Sequence, residues 1–142
     1  MANRGKEFEK RIKEALDNVD GLYVQRLYDA QMSSDYPSDF IAYKYPNLYL
    51  IECKSHLGRF PLSCISENQW RYMTSLSRLE GINAYVIVWF VDYDVTRLFN
   101  IAYLKQCKDI GVKSIKYNDE NGKVVKAKKK RTYFEYDFKG VL

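Results

Sequence analysis

PSDFIAYKYPNLYLIECK, residues 37–54, is the stretch on which the reading of this chain turns. DFIAYKY (39–45) and LYLIECK (48–54) are strand-like runs divided by Pro46-Asn47. Two such runs around a short turn predict an antiparallel hairpin. Alternate side chains of a strand share a face, so Glu52 and Lys54 point the same way. With Tyr45 and Leu48 flanking a two-residue turn, Asp39 is expected opposite Lys54 and diagonal to Glu52. Opposed side chains have Cβ atoms roughly 5 Å apart and diagonal ones roughly 7 Å. The hairpin therefore gathers two carboxylates and one ammonium on a single patch of sheet.

Such a patch suits a hard cation. Magnesium takes oxygen ligands, commonly one or two carboxylates with water and substrate phosphate. Asp39 and Glu52 are the candidate carboxylates, and the main-chain carbonyl of Cys53 is a third candidate ligand. Lys54 is then placed to hold an attacking water or to offset charge on a pentacovalent transition state. The bland reading is a cross-strand salt-bridge set on a wet face. ExK alone is weak, because it recurs by chance. An Asp at the mouth of one strand and ExK at the end of the next is stronger.

Working outward, residues 4–19 predict a helix, with Phe8, Ile12, Ala15, Leu16 and Val19 on one face and Asp20-Gly21 as its end. LYVQRL (22–27) has strand composition, and YDAQMSSDYPS (28–38) reads as a polar loop. A second helix is expected from Glu67 to Glu80, with Ser66 as N-cap and Gly81 as stop. AYVIVWFV (84–91) is apolar throughout, the pattern of a central strand buried on both faces. VTRLFNI (95–101) predicts a strand, AYLKQCKDIG (102–111) a short helix, and YFEYDF a last strand. Asn121-Gly122 is the strongest hairpin-turn signal. No linker interrupts this order, so 1–142 reads as one domain with a basic C-terminal segment at 113–142. The order predicts an α/β fold, a mixed central β-sheet flanked by helices.

Charge and composition bound the function. The net charge is +5, and Lys113–Arg131 carries eight Lys or Arg against only Asp119 and Glu120. The basic end suits a polyanionic partner, although a charge run is by default a solvated surface. Three widely spaced cysteines without a CxxC pair, and the single His56, argue against a zinc site and for reduced thiols. The opening MANRGKEFEK lacks the apolar core of a secretion signal, and 84–91 is too short to cross a bilayer. No membrane association is expected, and a cytoplasmic location is. The 13 tyrosines suit a half-buried sheet first, and base stacking second.

PSDFIAY, the spacing from Asp39 to Glu52, and ECK resemble the core of the PD-(D/E)xK nucleases. Within them, NRGKEFEKRI (3–12) resembles the opening of the RecU-type Holliday junction resolvases. SSDY (33–36), FPLSCISENQW (60–70) and KSIKYND (113–119) extend the likeness over most of the chain. The spacing is also similar to that of the archaeal resolvases. The resemblance implies a restriction-endonuclease-like core and a magnesium-dependent endodeoxyribonuclease, with manganese able to substitute. It implies cleavage of four-way DNA to 5′-phosphate ends, in a bacterial or phage-infected cell, with recombination proteins as further partners. Resolution needs two symmetric nicks, so a twofold homodimer is expected.

The resemblance also adds Glu9 and Gln69 to the catalytic set of Asp39, Glu52 and Lys54. Glu9 matches the motif Glu of the first helix and is expected to reach the metal through water. Counted at about 100° per residue, it sits roughly 75° from the centre of the apolar face. Alone it would read as a solvated helix flank. Gln69 matches the Gln of the second helix, but Ser66-x-x-Gln69 is equally a capping box. Beside such a core, Arg4, Lys6, Arg26, Lys128, Lys129, Lys130 and Arg131 become candidate DNA contacts. Two departures stand out. The family's longer stalk is replaced by the short 28–38 segment, and Asp35 rivals Asp39. Asp39 is preferred because it opens a strand at the right spacing from Glu52. Two other readings stay open: a nuclease on the same core acting on linear duplex in restriction or repair, and a non-catalytic DNA-binding module.

Overall fold

A computed structural model describes residues 3–27 and 38–142. In chain order the elements are α1 (Arg4–Asp17), β1 (Tyr23–Arg26), β2 (Phe40–Lys44), β3 (Asn47–His56), β4 (Phe60–Pro61), α2 (Glu67–Leu76), β5 (Ile82–Phe90), β6 (Val95–Asn100), α3 (Ile101–Asp109), β7 (Ser114–Ile115), β8 (Lys123–Val124), β9 (Lys126–Lys129) and β10 (Phe134–Asp137). Among the described residues six strands form one sheet in the order β1-β2-β3-β5-β6-β8. The β3–β5 pair is parallel, linked through α2, and the other pairs are antiparallel. The α/β fold with a mixed sheet is the one expected.

The sheet separates two apolar layers. On one face Leu50, Val86, Val88 and Phe99 pack beneath α2 and α3, with Trp70, Met73 and Leu104 reaching down. On the other, Ile51, Cys53, Ile87 and Leu98 meet Phe8, Ile12 and Leu16 of α1 and Tyr136 of β10. Each fully buried large side chain here contributes about 1.5–3 kcal/mol. β5 feeds both layers, as its unbroken apolar run requires.

Helix ends follow local chemistry. The Asn3 side chain caps α1 by accepting from the Lys6 amide at 3.2 Å. Helix α1 stops at Asp17, and Gly21 takes the left-handed backbone (φ 75°) that turns the chain into β1. Helix α2 stops at Leu76, four residues short of the expected end. Thr74, Ser75 and Ser77 hydroxyls all donate back to helix carbonyls, and such residues compete with the backbone ladder.

Two turn expectations are corrected. The β2–β3 hairpin turns on Tyr45-Pro46, with Lys44 paired to Asn47, rather than on Pro46-Asn47. Proline has no amide for the ladder, so it falls at the turn, while Asn47 joins β3 and accepts from the Asn83 side chain at 3.1 Å. Asn121-Gly122 closes no hairpin: β8, which follows it, pairs with β6. Gly122 answers to crowding, since a Cβ there would lie 2.5 Å from the Phe99 ring. The C-terminal hairpin is instead β9–β10.

Candidate active site

The shifted turn changes the site in one useful way. Phe40 pairs with Ile51, so one further step sets Asp39 across from Glu52 instead of Lys54. The change is two residues of register, which keeps every side chain on its face. Asp39, Glu52 and Lys54 thus share the α2 side of the sheet, at the end where β2 begins and β3 runs on paired with β5 only. Asp39 is pinned twice. Its carbonyl accepts from the Leu27 amide at 2.8 Å, and its carboxylate Oδ2 accepts from the Cys53 amide at 2.8 Å. No spacing in the sequence assigns this role to Leu27. A strand residue's N–H and C=O point to the same side. The Cys53 carbonyl therefore also faces the edge that Asp39 occupies.

Glu52 is 4% exposed. Its Oε2 meets Lys54 Nζ at 3.1 Å, while Oε1 has no hydrogen-bond partner among the described residues. Gln69 stands between its cap and the site. It completes the capping box with Ser66, and its side chain also interacts with the Glu52 carboxylate. Glu9 arrives from α1, on the opposite layer, past the start of β2. It is held by Arg26 at 3.2 Å and lies within electrostatic reach of Asp39 and Lys54. Arg26, a candidate DNA contact, is thus engaged with Glu9.

The three carboxyls all hold protons more tightly than usual. Burial, then the Glu52 carboxylate, pushes Asp39 up to about 7, against the Cys53 amide and Lys54. Burial raises Glu52 against the opposing Lys54 and Gln69. Burial and Asp39 raise Glu9 against Arg26, Lys54 and Lys6. The same surroundings push the buried Cys53 thiol well up, so it is no nucleophile. Burial is the first cause in all three, with Lys54 opposing it in each and Arg26 and Lys6 also opposing it at Glu9. Among the described residues no three His, Cys, Asp or Glu side chains converge tightly enough to hold a metal by themselves. Two carboxylates, Asp39 and a Glu52 whose Oε1 is unpartnered, and a main-chain carbonyl nevertheless form an all-oxygen set suited to a hard divalent cation that keeps waters.

Other candidates lie further out. Arg4 and Lys6 are exposed on the first turn of α1. Lys128 and Lys129 stand on the exposed strand β9, and Lys130 and Arg131 in the loop beyond it. Lys130 shares its charge with Glu135 at 3.7 Å. Asp35, and the segment set against the family's stalk apart from Ser38, fall outside the described residues. All three cysteines are free, and no helix among the described residues is long and apolar enough to cross a membrane.

The family model described as Recombination protein U matches residues 28–138. Among solved structures, Archaeoglobus fulgidus Hjc, described as a Holliday junction resolvase from an archaeal hyperthermophile, is similar at a TM-score of 0.61 and 22% identity. The match covers 84% of this chain and 95% of that one. It speaks for the fold. No curated protein matches the chain.

Proposed function

From the premise that the chain belongs to the Recombination protein U family, we propose that it resolves Holliday junctions by paired, magnesium-dependent nicks. It is an endonuclease of the resolvase class. The observation that carries the metal dependence is the buried Asp39–Glu52 pair with Glu52 Oε1 unpartnered beside Lys54. Asp39, Glu52 and the Cys53 carbonyl would hold magnesium or manganese, with Glu9 acting through a water. The bound ion supplies charge neutralisation at the scissile phosphate and a more acidic attacking water. Lys54 Nζ orients that water and offsets charge developing on the phosphoryl oxygens. Arg26 fixes Glu9, and Gln69 fixes Glu52, so neither carboxylate swings from the site. Arg4, Lys6 and the basic hairpin hold the flanking phosphates, with 5′-phosphate ends as the product. Action is expected in the cytoplasm of a bacterial or phage-infected cell, alongside recombination proteins.

The test is cleavage by purified protein, with magnesium, of a synthetic four-way junction beside linear duplex of identical sequence. Preferential junction cleavage is expected. Equal or greater duplex cleavage would point to a restriction- or repair-type nuclease, and binding without cleavage to a DNA-binding module.

Two nicks on one junction require two sites related by a twofold axis. Size-exclusion chromatography with light scattering should therefore give about twice the 16.8 kDa chain mass. A monomer that persists on junction DNA would oppose paired nicking.

A further inference from the structure

On the face opposite the carboxylates, α1 and the β9–β10 hairpin enclose a cavity of about 260 Å³. Its floor is aromatic: Phe8, Trp89, Phe134 and Tyr136 line it, with Trp89 5.7 Å from Phe8 and 6.1 Å from Phe134 between ring centres. Trp89 and Phe134 remain partly exposed. The rim is cationic, with Lys129, Lys130 and Arg131 on one side. On the other, Arg11 lies 4.0 Å over the Tyr133 ring. Glu7, the acid at the rim, is already paired with Arg11 at 2.7 Å. Trp89 pairs with Ser55 in register, one position beyond Lys54. Trp89 therefore lies toward the end of the sheet that carries Asp39 and Glu52, and Phe8 in the cavity floor adjoins Glu9 in sequence.

We infer that this cavity takes one unpaired nucleotide of a DNA strand, its base against Trp89 and Phe134 and its phosphate against Lys129 and Arg131. The inference rests on the reading of DNA as substrate. Every base has a flat π-face that stacks on an aromatic ring, and the neighbouring phosphate asks for cations at the lip of the slot. Paired bases are stacked on each other and cannot enter. The volume is near the lower bound of small-ligand pockets, roughly 300 Å³, in keeping with a single nucleotide. The cavity thereby separates DNA with a frayed or displaced nucleotide from continuous duplex.

The probe is 2-aminopurine, whose emission falls on stacking, placed unpaired in one duplex and paired in another, without magnesium so that no strand is cut. Wild-type protein should quench the unpaired probe and leave the paired one nearly unchanged. Trp89→Leu should weaken binding of the unpaired probe on the order of tenfold, with paired duplex bound as before. Trp89→Phe, which keeps a ring, should restore most of the loss. The double variant Lys129→Ala, Arg131→Ala alters only the exposed hairpin and gives a second arm if Trp89→Leu does not fold. It should weaken the unpaired probe more than the paired one. Absence of quenching by wild type, full affinity in folded Trp89→Leu, or equal losses in the double variant would each overturn the inference. Junction cleavage with magnesium, run in parallel, separates the two readings. Cleavage without quenching removes the slot alone, whereas quenching without cleavage keeps the slot and removes the resolvase.

Discussion

Asp39→Asn and Glu52→Gln should each reduce junction cleavage by about 10³-fold or more, since several kcal/mol of metal-borne transition-state stabilisation is lost. Junction binding should persist, because the basic surface is untouched and one negative charge is gone. The same substitution at Asp39 has a second, opposite effect on stability. In the fold Asp39 binds its proton up to about pH 7, against an ordinary value of 3.8. Between those values the folded state holds more protons than the unfolded chain, so stability falls as pH rises through that window. The loss amounts to about 4 kcal/mol at most. An asparagine in this place does not ionise, and its side-chain oxygen can still accept from the Cys53 amide. In EDTA the variant should therefore match wild type near pH 4 and melt several degrees higher at pH 8. Magnesium should raise the wild-type Tm at pH 8 and leave the variant unmoved. Near-full activity in either variant, or an Asp39→Asn protein that melts lower at pH 8 in EDTA, would remove the proposed centre. Asp35→Asn is the matched control and should retain more activity than Asp39→Asn.

Replacing Lys128, Lys129, Lys130 and Arg131 with Ala should weaken binding to every DNA form. Each cation removed from a phosphate lowers the log–log salt slope by roughly 0.9 on duplex. Lys130 is partly satisfied by Glu135, so the slope should fall by about 3 and affinity near 0.2 M salt by roughly 10²-fold. Saturating DNA should restore the cleavage rate, because none of the four touches the carboxylates. Filter binding from 0.05 to 0.3 M salt reads the slope. An unchanged slope would make these residues a solvated strand edge.

The features legible in the sequence are those set by local periodicity. The apolar stripe of α1, the Ser66 cap of α2, the unbroken β5, and the strands β2, which Asp39 immediately precedes, and β3, which bears Glu52, all follow from spacing within one element. The register of the hairpin does not, because Pro46 marks a turn without saying whether it is the first or second turn residue. The site survives that error since a two-residue slip preserves the face. Strand β9 is not legible at all. KAKK has no apolar alternation, and it is a strand because β10 turns Tyr136 to the core and leaves the lysines to solvent. The Glu9–Arg26 pair and the aromatic slot are also hidden. Each joins elements distant in sequence, and no spacing rule links Phe8, Trp89 and Phe134.

Mapping both cleavage sites on one junction is the most direct test of the central claim. A four-way junction with each strand labelled in turn, cut with magnesium at enzyme excess, should show nicks at symmetric positions on two opposing strands. The ends should carry 5′-phosphates and seal with ligase, and EDTA or Glu52→Gln should remove both nicks together. Nicking of a single strand, asymmetric positions, or cleavage that persists in EDTA or with Glu52→Gln would contradict the account.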